Sequence, residues 1–181
     1  MQSVIKHYFK LFAILLFAAS VTACSSTGEK KASAMEIYEV HHDGRINVFY
    51  DRDLYLDFIK MGETPFRLTR IGAGPNGETI VFGLTKADKK MHGEIPAISL
   101  YDGKMAAPEN FYGEMRAKGR IYVFSSWEDM GPVRQFGSPN FFYTQIGSGP
   151  DGETVVYVLN KHTKKHRPDA LVEKFMSMNK K

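Results

Sequence analysis

Residues 72–79, Gly-Ala-Gly-Pro-Asn-Gly-Glu-Thr, have the spacing of a phosphate-binding loop, and residues 147–154 repeat it as Gly-Ser-Gly-Pro-Asp-Gly-Glu-Thr. A phosphate cradle needs free backbone N–H groups, a cation and a following helix N-terminus. Here Glu78 and Glu153 stand where the Lys belongs, Pro75 removes an N–H, and strand-forming residues follow. Both stretches therefore read as hairpin loops. His41 and His42 are neighbours on a strand pattern, so they face opposite ways and cannot share a metal. His162 and His166 have helical spacing but flank Lys164 and Lys165, whose charge opposes a cation. Asp51 reads as a helix cap, and Asp53 and Asp57 as a solvated helix face. Neither a G-x-S-x-G elbow nor an H-E-x-x-H helix occurs, and Cys24 is the only cysteine. No catalytic residue, metal site or cofactor is expected.

Chemistry that recurs is better placed. Shifted by 75 residues, positions 44–90 overlay 119–165 without a gap, with 20 of 47 identical. Chance pairing gives about three. The overlay keeps Arg45/Arg120, Glu78/Glu153, the glycines Gly62/Gly137, Gly72/Gly147 and Gly74/Gly149, and a Lys-x-x-Lys-Lys set: Lys86, Lys89, Lys90 and Lys161, Lys164, Lys165. The Arg and Glu positions are expected in ion pairs or loop hydrogen bonds. The lysines fit a solvated strand end or contact with anionic headgroups.

The elements that must position these residues follow from the overlay. Residues 37–42 and 45–50 read as a hairpin turning at Asp43-Gly44, and 111–117 and 120–125 as another turning at Lys118-Gly119. Asp51 and Ser126 are N-cap types, and Gly62 and Gly137 suit the left-handed position past a helix end. Leu54, Tyr55, Phe58, Ile59 and Met61 supply the apolar face of the first helix, whereas Gly131-Pro132 shortens or kinks the second. Residues 66–72 with 79–84, and 141–147 with 154–159, form further hairpins. Residues 95–101 suggest an added strand. The tail from 167 reads as an amphipathic helix with Leu171, Val172, Phe175 and Met176 on one side. The expected fold is α+β: two tandem ββαββ repeats, 35–100 and 101–181, forming antiparallel sheet with one short helix per repeat and a C-terminal helix. Whether the repeats share one sheet stays open.

The chain has 181 residues, 43% apolar and 24% charged, with 13 Phe and 9 Tyr. That is folded-domain composition. The N-terminus differs. Lys6, His7 and Lys10 precede an apolar stretch, residues 11–21, which is too short for a membrane-spanning helix. Then comes Val21-Thr22-Ala23-Cys24. This arrangement resembles the signal peptide and lipobox of bacterial lipoproteins. The resemblance covers residues 1–24. It implies cleavage after residue 23, acylation of Cys24, and, with Ser25 rather than Asp following, an outer-membrane address facing the periplasm. Several acyl chains anchor firmly where one is marginal. Residues 24–34 are small and polar and read as a flexible tether. Loss of Lys6 and Lys10 lowers the net charge from +4 to +2, so nucleic-acid binding is not inferred.

The expected function is a lipid-anchored envelope binding or adaptor module without catalytic activity, held to the membrane through acylated Cys24 and presented to another envelope component. The alternative is a small-ligand carrier with an aromatic pocket between the repeats, walled by Trp127, Tyr101, Phe111 and Tyr112.

Overall fold

Two hairpin turns have nearly the same backbone. Asp43 and Gly44 adopt φ of 48° and 70°, and Lys118 and Gly119 adopt 52° and 72°. Positive φ at both central residues matches the twist of paired strands. These turns join β1 (Met35–His42) to β2 (Arg45–Phe49), and β5 (Phe111–Ala117) to β6 (Arg120–Phe124). The computed structural model describes residues 34–90 and 95–180. The signal-peptide and lipobox residues and nearly all of the tether therefore lie outside the described residues.

The outer hairpins are β3 (Arg67–Arg70) with β4 (Thr79–Gly83), and β7 (Phe141–Gln145) with β8 (Thr154–Leu159). All eight strands form one sheet in the order β3-β4-β2-β1-β5-β6-β8-β7. Each hairpin is antiparallel, whereas β2–β4, β6–β8 and the central β1–β5 pair are parallel. The fold is mixed α+β, and its sheet is mixed rather than purely antiparallel. The segments 35–100 and 101–181 share this sheet through β1 and β5, and the described residues belong to one compact unit.

Helix α1 (Arg52–Met61) begins where Asp51 accepts a hydrogen bond from the Leu54 N–H at 2.9 Å, and ends at Gly62, φ 78°. Helix α2 (Pro96–Tyr101) replaces the strand expected at 95–101. Proline suits the first helical position, and Ala97, Leu100 and Tyr101 have helical spacing. The fold thus has a helix between the two halves beyond those expected. Helix α3 (Met130–Phe136) is short, and Ser126 does not cap it. The Ser126 hydroxyl donates to Glu128 Oε2 at 2.7 Å. A helix starting beside Ser126 would put Pro132, with no N–H and a bulky ring, in its interior. Starting at Met130 keeps it in the first turn. Helix α4 (Asp169–Met178) is the expected tail helix. Two residues expected on apolar faces are exposed: Met61 at 63% and Met176 at 45%, each just off the buried stripe.

The sheet divides two cores. On one face Ile37, Ile46, Val48, Phe124 and Val156 pack under α2 and α3 through Ala97, Leu100, Met130 and Val133. On the other Tyr38, Phe49, Ile121, Val123 and Tyr157 pack under α1 and α4 through Tyr55, Val172 and Phe175. Each face thus carries one helix from each half. Burial of such side chains stabilises by about 1.5–3 kcal/mol each.

Candidate functional site

Two glutamates lie at the centre of these cores, and both are wholly buried. Glu39 on β1 faces α2 and α3. It accepts from Tyr101 Oη at 2.5 Å and Arg134 Nε at 2.7 Å, and His41 Nε2 lies 2.9 Å away. Arg134 also sits over the rings of Trp127 (4.1 Å) and Tyr101 (5.0 Å). Burial pushes the Glu39 pKa up, but the Arg134 charge and the hydrogen bonds outweigh it, so Glu39 is held below its ordinary 4.5. Tyr101 is pushed well above 10 by burial and the Glu39 charge.

Glu114 on β5 faces α1 and α4. It accepts from Tyr112 Oη (2.6 Å), Tyr55 Oη (3.3 Å) and Asn179 Nδ2 (3.0 Å). Each carboxylate therefore ties its strand to both helices of its face. Neither reaches solvent, so neither can meet a substrate. They are the polar pins of the fold.

The kept loop residues have matching roles. Gly74 N–H donates to the Glu78 carbonyl and Gly149 N–H to the Glu153 carbonyl, both at 2.9 Å. Each Glu carboxylate also accepts a backbone N–H, from Asn76 (2.8 Å) and Asp151 (2.9 Å). Gly72 and Gly147 take positive φ at the loop entrances. Strand β4 or β8 follows, and the carboxylate occupies the N–H groups that a phosphate would need. Glu153 additionally pairs with Arg116, whose Nε donates to Tyr55 Oη at 2.8 Å. The expected partners Arg45 and Arg120 are instead exposed and make no ion pair among the described residues.

The lysines fall at one end of the sheet. Strands β4 and β8 run parallel to each other and antiparallel to β1, so their C-terminal ends lie where β1 begins. Lys89 lies over the Phe66 ring at 5.0 Å and Lys164 over Phe141 at 4.2 Å. Lys86, Lys161 and Lys165 are exposed and pair with no acid among the described residues. Nearby acids are engaged elsewhere. Asp51 caps α1, Asp129 accepts from Asn160, and the buried Asp88 accepts from Tyr50 and Thr85. Burial and that bond push Tyr50 up to about 12. The two clusters are not one continuous surface. Five strand spacings of ~4.8 Å separate them, roughly 24 Å.

The four aromatics expected to wall a pocket do not stand together. Tyr101, Trp127 and Phe111 pack edge-to-face, with centroids 4.9 and 6.2 Å apart, whereas Tyr112 lies on the opposite face of the sheet. The open space is elsewhere. A groove of about 730 Å³ lies under the C-terminal end of α1, over the outer strands of the first half. Sequence reasoning missed both this groove and the buried glutamates. Extending the 75-residue overlay back five positions aligns Glu39 with Glu114.

Among the described residues no three His, Cys, Asp or Glu side chains converge on a metal position, and no helix is long and apolar enough to cross a membrane. Compared with known proteins, the chain matches no family model, no curated protein and no solved structure.

Proposed function

We propose that the chain is a lipid-anchored envelope module that holds its α+β body against an outer-membrane leaflet and presents it to another envelope component without catalysing a reaction. The observation that carries this reading is directional. The sheet end at which the chain arrives from Cys24 also bears both lysine clusters. Eleven Cα-to-Cα steps lead from Cys24 to Met35, a reach of at most roughly 40 Å at 3.3–3.6 Å per step. The tether can therefore bring that end to the bilayer, where each Lys contributes about 1 kcal/mol with anionic headgroups. The opposite end, with its exposed Ile71 and Ile146, is left for the partner.

The body is read as two tandem ββαββ copies. Two corresponding strands that lie side by side and parallel, in a mirrored strand order, support a reading with an approximate twofold axis running in the sheet along the strands. Such an axis turns the sheet over. Ile46 and Phe49 accordingly lie on the faces opposite to Ile121 and Phe124, their counterparts 75 residues on. Exchanging residues 71–78 with 146–153 should leave the thermal midpoint nearly unchanged.

The anchor is tested by fatty-acid labelling, which Cys24→Ala should abolish. The orientation is tested by flotation of the Cys24→Ala chain with phosphatidylglycerol vesicles. It should bind at low salt and release at high salt. Replacing Lys86, Lys89, Lys90, Lys161, Lys164 and Lys165 by Gln should remove binding while circular dichroism stays the same. Equal flotation of both chains, or flotation indifferent to salt, refutes the orientation.

A further inference from the structure

The groove under α1 is lined by residues that the second half keeps only in part. Its floor is Asn47 and Val81, with Thr69 beside them and Arg45 and Arg67 at its two ends. Seventy-five residues on, the second half keeps Arg120, Thr144, Val156 and the left-handed Gly137, but replaces Asn47 by Tyr122 and Arg67 by Phe142. Tyr122 is only 2% exposed, and its hydroxyl donates to the Gly137 carbonyl at 3.4 Å. Asn47 is also buried, 6% exposed, but it is the smaller side chain and its Nδ2 donates to the Val40 carbonyl at 3.1 Å. The same frame thus carries a buried tyrosine in one half and a buried asparagine beside the groove in the other.

The first half's groove is furnished for a ligand. The side chains of Arg45 and Arg67 make no hydrogen bond or ion pair among the described residues. They are two strands apart laterally and four residues apart along the strands, so their Cα atoms are roughly 16 Å apart. A guanidinium is a fork for carboxylate or phosphate. Between the two forks Thr69 and Thr79 offer neutral donors and acceptors, and Phe58 lines the groove. Asp43, which pairs with His42 at 3.1 Å, and Glu63 stand at the rim and repel densely charged polyanions. The fitting ligand is extended, rich in hydroxyls and carries separated acidic groups.

We propose that this groove binds an anionic oligosaccharide, and that the first half is the binding half. The groove does not depend on the anchor; the choice of probes rests on the envelope reading. The chemistry has two sources there, a carboxylated glycan and a phosphorylated one. The full-length chain in detergent is titrated calorimetrically with two probes: muramidase-released disaccharide peptides of peptidoglycan, and deacylated lipopolysaccharide core oligosaccharide. Binding of either supports the proposal, and the arm that binds identifies the source. Asn47→Tyr, which copies the second half, should weaken that binding at least tenfold, with circular dichroism checking that this buried change leaves the fold intact. Arg67→Gln, an exposed change that leaves the core intact, should weaken it about tenfold. Absence of binding by both probes, or unchanged affinity in Arg67→Gln, overturns the proposal. Loss of lipid labelling with retained glycan binding would remove the anchor and leave the groove standing.

Discussion

Replacing Arg134 by Met tests whether Glu39 is the pin of its face. Glu39 is fully buried, and the Arg134 side chain is 11% exposed. Removing one partner of such a pair leaves an uncompensated buried charge, at a cost of about 3–5 kcal/mol. The contacts with Trp127 and Tyr101 are lost as well, about 0.5–2 kcal/mol. Together these cost about 3.5–7 kcal/mol, so at ~2–4 °C per kcal/mol for a domain of this size the thermal midpoint should fall by roughly 7–28 °C at pH 7. The pH dependence distinguishes this from a simple packing loss. In the parent the folded pKa of Glu39 is depressed, so its stabilisation is present above 4.5 and is lost as pH falls through the folded value. Without Arg134 the burial effect dominates and lifts the folded pKa above the unfolded one. The sign reverses: the variant should recover stability relative to the parent as pH falls from 7 toward 4.5. Adding Glu39→Gln to Arg134→Met should raise stability above the single variant at pH 7. Urea titrations at several pH values measure all three chains. Parallel pH profiles of parent and Arg134→Met, or a double variant no more stable than the single, would refute the assignment.

Other expectations are checked by the same unfolding measurements. Asp51→Ala should cost about 1 kcal/mol through the lost cap, whereas Ser126→Ala should stay within about 0.5 kcal/mol because that hydroxyl caps nothing. Glu153→Gln should destabilise more than Glu78→Gln, since only Glu153 also pairs with Arg116. Gly74→Ala and Gly149→Ala should both be poorly tolerated, because a Cβ would sit 2.5 Å from the loop carboxylate. The Asp102 carboxyl, bonded by Arg70 and Lys104, should titrate at about 2 by carbon-detected NMR, and Arg70→Ala should return it toward 3.8.

Local signals in the chain were the legible ones. The Asp-Gly turn, the Asp51 and Gly62 caps and the β-branched strands are set by backbone preferences within a few residues, and they fall where expected. Ser126 misled because Pro132 was expected to shorten or kink the second helix but not to move its start to Met130. Residues 95–101 misled because a short apolar run suits strand and helix alike; Pro96 at its start was the available discriminator. The glutamates were hidden by a comparison that began at Gly44, where similarity is strong, and skipped the diverged strands before it. The single continuous sheet depends on pairing residues 76 apart, Met35 with Phe111, which no local pattern encodes. The groove needed the same long-range knowledge. The Asn47 and Tyr122 difference is visible in the overlay, but its meaning depends on where α1 and α3 end.

The sharing of helices between halves has a kinetic consequence. The face begun by Tyr38 and α1 is completed by α4, the last element of the chain, where Arg52 donates to the Met178 carbonyl and Asn179 reaches Glu114. A first half emerging alone would leave its aromatic layer uncovered and Glu114 missing altogether. Closing contacts between residues 52 and 178 requires nearly the whole chain to be present, so the loop-closure entropy falls late in folding. The body should therefore fold as one cooperative event only once residues 169–179 are available to close the second face.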